Sequence, residues 1–177
     1  AGTAGFSLLP FQDGVPGLGL SAQMEFRLRF TPVPVTAQTF VVMLIGSFLG
    51  SNRGILAIFL YLAAGVWGLP VFSGFGAGLY HILGPTGGYI LGFIGGAYVA
   101  GTFIKHGDNH SFFYTFLIML LSCATIYIVG ILWLGAHLGF NNVLELGLLP
   151  FIAGDILKSA AAAGCLTGVR QIKKFRP

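Results

Sequence analysis

Two ionisable side chains, Asp155 and Lys158, lie three residues apart in an otherwise uncharged stretch near the C-terminal end of the chain. A helix places residues with this spacing on one face, so the two groups are predicted to act together. A carboxylate accepts hydrogen bonds and an ammonium group donates them. The pair could therefore hold a polar solute, or it could form a salt bridge that satisfies itself and ties its helix to neighbouring helices.

The composition of the chain indicates a membrane environment for this pair. Of the 177 residues, 55% are hydrophobic and only 8% are charged, whereas about 25% are charged in a typical soluble domain. Residues 30–52, 54–104 and 109–144 contain no charged side chain, and a spanning helix needs roughly 20 such residues. We therefore predict an all-α integral membrane protein, a single transmembrane domain over residues 1–177 with six transmembrane helices. An ionisable group inside such a bundle marks a functional site by default.

The helices can be assigned from the apolar runs and the breaks between them. The predicted helices cover residues 8–23, 36–50, 55–67, 88–104, 111–134 and 149–168. In the first outer loop, residues 25–35, the alternation Arg27-Leu28-Arg29 and the prolines 32 and 34 favour an extended strand or hairpin. The glycine-rich segment 68–88 is predicted to be irregular, and irregular backbone at membrane depth is tolerated where it lines a cavity.

The basic residues orient the bundle. Arg53, Lys105 and the tail from about residue 170 are all predicted to be cytoplasmic by the positive-inside rule, which makes the protein a multi-pass plasma-membrane protein with a cytoplasmic C-terminus. Asp155 then lies about 22 Å from the cytoplasmic edge at Arg170, in the outer part of the membrane. The pocket is therefore expected near the outer face. The basic residues form no continuous surface, so no nucleic-acid partner is expected.

Other chemistries find little support in the sequence. His106 and His110 have a spacing that could bind a metal, but they lie in a polar turn, so we expect no metal site. Ser73-Gly74 lacks the earlier glycine of a nucleophile elbow, and no triad is spaced to complete it, so no catalytic residues are assigned. Residues 84–88 lack the lysine and Ser/Thr of a P-loop. Energy for uphill transport would come from a partner or an ion gradient.

Four ordered blocks of sequence resemble one family. They are PVPVTAQTF at residues 32–40, YLAAGVWGLPVF at 61–72, GPTGGY at 84–89 and PFIAGDILK at 150–158. They resemble the BioY family, the biotin-binding S components of energy-coupling factor (ECF) vitamin transporters. The resemblance implies a six-helix bundle with both ends cytoplasmic and a biotin pocket near the outer face, covered by the first loop.

The resemblance also implies roles for individual residues. Asp155 would accept hydrogen bonds from the ureido N–H groups of biotin, Lys158 would supply positive charge, and Tyr89 would pack on the ligand or hydrogen-bond to it. The further candidates for ligand contact are Thr36, Gln38, Ser73, Gly87 and Arg29. Because Asp155 and Lys158 are close while the polar ends of biotin are far apart, Lys158 could serve the ureido end or orient Asp155. The valerate would then be left to water or to a loop cation, Arg27 or Arg29.

The leading hypothesis is therefore biotin uptake by a membrane-embedded binding subunit. Its implied partners are a membrane coupling subunit and two cytoplasmic ATPases, which alone would use ATP, and no cofactor is expected in this chain. Two hypotheses from other classes stay open at this point. One is an intramembrane enzyme acting on a lipid or a vitamin precursor, and the other is a structural membrane subunit without a ligand. A lone secondary carrier is a variant of the first hypothesis.

Overall fold

The structure is a computed structural model that describes residues 14–104 and 111–174, with side chains up to residue 169. Its helices are α1 Val15–Gln23, α2 Gln38–Val66, α3 Leu79–Leu83, α4 Gly87–Phe103, α5 Phe112–Leu138, α6 Val143–Gly147 and α7 Leu149–Lys174. The two strands are β1 Glu25–Phe26 and β2 Val35–Thr36, and a 3-10 turn covers Ser73–Phe75. The predicted start of the first helix, the turn with Lys105, His106 and His110, and the basic side chains of the tail lie outside the described parts.

By length and composition, three helical stretches could cross a membrane: Phe112–Leu138, Val143–Val169 and the 29-residue stretch Gln38–Val66, which turns at Gly50. Helix α4 is also apolar, although it is shorter. The predicted helices over residues 88–104, 111–134 and 149–168 correspond to α4, α5 and α7. The mostly helical, membrane-embedded fold expected from the composition is therefore confirmed.

Helix α2 is a hairpin of two arms rather than one straight helix. At Gly50 the backbone leaves the helical region, with φ 78° and ψ 171°. The Gln38 side-chain amide donates to the Tyr61 hydroxyl at 2.7 Å, although these residues would lie about 34 Å apart along a straight helix. The arms, residues 38–49 and 51–66, therefore run antiparallel. They correspond to the helices predicted over residues 36–50 and 55–67.

Helix α4 lies between the α2 hairpin and α5, and small residues allow the close approach. A β-carbon on Gly46 would overlap the Ala97 carbonyl oxygen, and one on Gly92 would lie 2.9 Å from the Ile126 carbonyl oxygen. The Ser122 hydroxyl of α5 donates to the Gly96 carbonyl at 2.8 Å. Glycine in α4 and α2 thus brings three helices into backbone contact, as is common between membrane helices.

The first outer loop is extended only at its ends. Strands β1 and β2 pair antiparallel through Glu25↔Thr36 and Phe26↔Val35, while residues 27–34 form no strand. Of the extended strand or hairpin expected for this loop, the structure shows a short antiparallel pair at the base, and no strand runs through Arg27 to Arg29. Pro32 and Pro34 have no N–H group to donate to a ladder, and the loop is held instead by the Thr31 hydroxyl, which donates to the Leu146 carbonyl of α6 at 2.6 Å.

The segment 68–88 is irregular apart from a 3-10 turn, the short helix α3 and the start of α4, and side chains from other elements hold it in place. The Gln23 side chain of α1 donates to the Phe72 carbonyl at 3.0 Å and accepts from the Phe75 N–H at 2.8 Å. Trp133 of α5 donates to the Gly84 carbonyl at 2.9 Å. These bonds fix the turn that carries Ser73 and the loop that carries Thr86.

The turn of α2 gives a direct test of this fold. Gly50→Ala is expected to lower the free energy of unfolding by about 1–3 kcal/mol, because only glycine adopts this backbone conformation without strain. A β-carbon there would contact nothing within 4 Å, so the effect would be conformational rather than steric. Thermal unfolding in detergent measures it.

Gly164→Ala is the matched control, since a β-carbon at Gly164 also meets no atom within 4 Å and its backbone is that of an ordinary helix. It should leave the melting temperature unchanged or slightly raised. Equal melting temperatures for the two variants would contradict the strained turn.

Candidate ligand-binding site

The Asp155 carboxylate is the centre of a hydrogen-bond network between three helices. Its Oδ1 accepts from the Lys158 ammonium at 2.7 Å and from the Thr39 hydroxyl at 3.0 Å. Its Oδ2 accepts from the Tyr127 hydroxyl. Lys158 also lies 3.4 Å from the Thr39 hydroxyl oxygen, to which it donates. The four side chains come from α7, the first turn of α2 and the middle of α5, so one carboxylate connects all three.

The network keeps the two charges inside the protein. Asp155 is 5% exposed, and the Lys158 side chain is 21% exposed. Burying a lone carboxylate would be prohibitively costly, but a cation and two hydroxyl donors together compensate its charge. The salt bridge considered as a structural alternative therefore exists, and it forms part of the wall of a cavity.

Neither charged group has used all its hydrogen-bonding capacity. A carboxylate has about four acceptor positions and an ammonium group has three donors. The described contacts of Asp155 occupy three of those positions, and those of Lys158 occupy two donors. One acceptor position on the Asp155 carboxylate and one donor on the Lys158 ammonium therefore have no partner among the described contacts, and both residues line a cavity.

The cavity beside this network contains about 600 Å³ of space free of protein atoms, counting its open mouth. Pockets that bind small molecules are mostly apolar with a few polar groups. Here the Asp155 network supplies the charged groups of the wall. The remaining wall is mostly apolar and aromatic, and includes Val33, Pro34, Tyr89, Ile90, Phe93, Ile126 and Phe151.

Six of the eight side chains predicted to contact a ligand line this one cavity: Thr36, Gln38, Ser73, Tyr89, Asp155 and Lys158. Gly87 and Arg29 do not line it. The Gly87 α-carbon packs so closely on α3 that a β-carbon would overlap the Ile82 carbonyl oxygen. Arg29 lies exposed in the irregular part of the first loop.

Two of these side chains are already engaged within the protein. The Tyr89 hydroxyl donates to the Gly147 carbonyl at 2.8 Å, so Tyr89 offers the cavity its ring rather than a free donor. The Gln38 amide donates to Tyr61, whose hydroxyl in turn donates to the Val71 carbonyl at 3.1 Å. Gln38 thus connects the α2 hairpin to the segment that carries Ser73.

Thr39 and Tyr127 are members of the site that the sequence analysis missed. Thr39 follows Gln38 within the block at residues 32–40, so its position in that block was an available signal. Tyr127 lies in the middle of an uncharged apolar helix, where a hydroxyl gives no sequence signal for the direction it faces. Only the packing of α5 against α7 reveals that it contacts Asp155.

A second cavity, which we call the vestibule, adjoins the first. It has about 900 Å³ of free space, counting open solvent, and shares Pro34, Ser73 and Thr86 with the first cavity. The rest of its wall belongs to the first loop, α3 and the loop after α3, and includes Arg27, Leu28, Tyr80 and His81. Of the two loop arginines, Arg27 lines the vestibule and Arg29 lines neither cavity.

Comparison with known proteins identifies the family. The BioY family model matches residues 15–175. The chain belongs to the BioY family. A probable biotin transporter BioY from Pyrococcus horikoshii is 46% identical over 142 residues, which cover 80% of this chain and 83% of the relative. A biotin transporter BioY from Rhizobium etli is 38% identical, covering 77% of each chain. Another from Thermotoga maritima is 36% identical, covering 75% of this chain and 78% of the relative.

A solved structure shares the fold of this BioY-family chain. It is described as the S-component for biotin from an ECF-type ABC transporter, and it matches with a TM-score of 0.79 at 24% identity, covering 97% of this chain and 95% of that one. The fold is therefore that of an ECF S component. The relatives are named as transporters, and the chain belongs to a transporter family rather than to a family of enzymes.

Charge compensation at Asp155 can be tested through stability. Lys158→Met is expected to lower the free energy of unfolding by about 3 kcal/mol, because it leaves a buried carboxylate without its cation. Adding Asp155→Leu to this variant should recover part of the loss, since no buried charge then remains. Thermal unfolding of both variants in the same detergent makes the comparison. A double variant no more stable than Lys158→Met would contradict compensation as the role of the pair.

Proposed function

We propose that this chain is the biotin-binding subunit of an ECF-type biotin transporter. The observation that carries the proposal is the Asp155–Lys158 pair in the wall of a mostly apolar cavity of a BioY-family chain. An S-component fold alone would leave the ligand open, because S components as a group serve different vitamins. The site has the acceptor, the donor and the apolar wall that biotin requires.

The unused capacity of the network fits the ureido ring of biotin. A ureido group has N–H donors directly beside its carbonyl acceptor, and the network offers an acceptor on Asp155 directly beside a donor on Lys158. The salt bridge of 2.7 Å keeps these two groups together, so both would contact the same end of biotin. Of the two arrangements left open by the sequence, Lys158 acting at the ureido end is favoured. A charge-assisted hydrogen bond in a dry pocket is strong.

The rest of biotin would follow the apolar wall towards the vestibule. The rings of Tyr89 and Phe93 would pack against the sulfur-containing ring, with Thr36, Gln38 and Ser73 completing the contacts. The valerate carboxylate would then reach the vestibule, beside Arg27. Arg29 and Gly87 have no contact role in this arrangement, because neither lines the cavity.

In the membrane, the protein would form a single domain over residues 1–177 with six transmembrane helices. These would be α1, the two arms of α2, α4, α5 and α7. The basic residue Arg53 lies directly after the Gly50 turn, which supports a cytoplasmic position for that turn. Thr39 lies about 16 Å along the first arm from Gly50. The cavity would therefore open to the outside, under the first loop, with the basic C-terminal tail in the cytoplasm.

The proposed partners follow from the S-component role. A membrane coupling subunit and two cytoplasmic ATPases would complete the transporter in the plasma membrane. The sequence has no P-loop, which supports ATP use by the ATPases alone and no cofactor in this chain. The protein would thus capture biotin, and its partners would supply the energy for uptake.

Calorimetry on the purified protein tests the ligand and the site together. The wild-type chain should bind one biotin, and Asp155→Ala should weaken the affinity at least about 100-fold, because it removes a charged hydrogen-bond partner and leaves Lys158 unpaired.

Ser122→Ala is the matched control. Like Asp155→Ala it removes a buried hydrogen-bonding side chain between helices, but Ser122 lies outside the cavity. It should keep the wild-type affinity. Absence of biotin binding by the wild-type chain, or unchanged affinity in Asp155→Ala, would refute the proposal.

A further inference from the structure

The two cavities differ in the elements that line them. The Asp155 network of α2, α5 and α7 lines the first, whereas loops and α3 line the vestibule, which has about 900 Å³ of free space, counting open solvent. Pro34, Ser73 and Thr86 form part of both walls. The two cavities therefore adjoin at these three residues, which is where the free end of a ligand held at Asp155 would lead into the vestibule.

The position of the first loop over this space is fixed by bonds to other elements. The Thr31 hydroxyl donates to the Leu146 carbonyl at 2.6 Å and accepts from the Val33 N–H at 3.1 Å. The strand pairs Glu25↔Thr36 and Phe26↔Val35 close the base of the loop. The first loop, which forms part of the vestibule wall, is thus held at its two ends by the strand pair and near its centre by Thr31.

The vestibule has little electrostatic preference for a carboxylate. Arg27 is the one lysine or arginine among the vestibule residues that the structure describes, and its Nε already donates to Glu25 at 2.8 Å with the arginine side chain 69% exposed. An exposed and already paired cation contributes little to binding a further anion. Replacing the ligand carboxylate by a neutral group should therefore cost little affinity.

Neutral surface is abundant in the same space. Tyr80 is 82% exposed, and Leu28 and the prolines at 32 and 85 also line the vestibule. These groups suit an alkyl chain and an amide better than a charged end. The vestibule is therefore suited in size and polarity to a substituent attached at the end of the valerate chain.

We propose that the protein binds biotin amides, in which the valerate carboxyl is joined to an amine such as a lysine side chain, as well as free biotin. The bicyclic ring would be held at Asp155 and Lys158 in both ligands, and the added group would lie in the vestibule. This inference rests on the proposed function and deepens it, because it extends the ligand class from a free vitamin to its carboxyl conjugates.

Calorimetry with two ligands tests the inference on the full chain in lipid nanodiscs. Biotin and a neutral conjugate, Nε-biotinyl-lysine with its α-amino and α-carboxyl groups blocked as amides, should each bind with a stoichiometry of one, and their dissociation constants should agree within tenfold. Biotin binding together with a conjugate affinity more than tenfold weaker would overturn the inference and leave the proposed function standing. Failure of the wild-type chain to bind biotin would overturn the proposed function, and the inference with it.

Variants at Leu28 locate the added group. Leu28 lines the vestibule but not the first cavity, so Leu28→Trp should weaken biotinyl-lysine at least fivefold more than biotin. Leu28→Ala, which adds space, should not discriminate against the conjugate. Equal effects of Leu28→Trp on the two ligands, at an unchanged biotin stoichiometry, would show that the substituent does not enter the vestibule. If Leu28→Trp does not fold, the comparison of the two ligands on the wild-type chain still decides.

Discussion

A carboxylate buried between membrane helices must have its charge compensated within the protein, because lipid offers no hydrogen bonds. Asp155 meets this requirement with Lys158 on its own helix, Thr39 at the start of α2 and Tyr127 in the middle of α5. The three helices must pack in one relative arrangement for these contacts to form. The packing of the three helices and the compensation of the Asp155 charge therefore depend on each other. Together they form the polar part of the cavity wall.

Close helix packing supplies the geometry that this network needs. Gly130 of α5 allows the Tyr89 ring to lie directly against the α5 backbone, where a β-carbon would overlap it. Tyr89 is then held by its bond to the Gly147 carbonyl and meets Tyr127 edge to face at 6.3 Å between ring centroids. The aromatic wall of the cavity and the hydroxyl that contacts Asp155 are thus positioned together.

Much of this organisation could be predicted from the sequence because charge is so scarce in it. The apolar runs located α4, α5 and α7 and both arms of α2, and the two charges within the last helix identified the centre of the site. The sequence analysis did not predict Thr39 and Tyr127 as site residues, because a hydroxyl group in an apolar helix does not indicate which neighbour it will contact.

The wrong or unsupported expectations have similar physical causes. Alternation in the first loop suggested a strand, but the prolines at positions 32 and 34 end the ladder, and the irregular path brings Arg27 rather than Arg29 to the vestibule. Gly87 belongs to one of the blocks that resemble the family, but it packs closely against the Ile82 carbonyl rather than lining the cavity. The sequence blocks that resemble the family identify the region of the site. The direction of each side chain depends on contacts with residues distant in sequence.

The most direct measurement is an experimental structure of the protein with biotin bound. The ureido ring should lie within hydrogen-bond distance of both Asp155 and Lys158, and the valerate chain should point past Ser73 and Thr86 to the vestibule. A biotin bound in the opposite direction, with its carboxylate on Lys158 and its ureido ring under the first loop, would contradict the central role assigned to the Asp155 network.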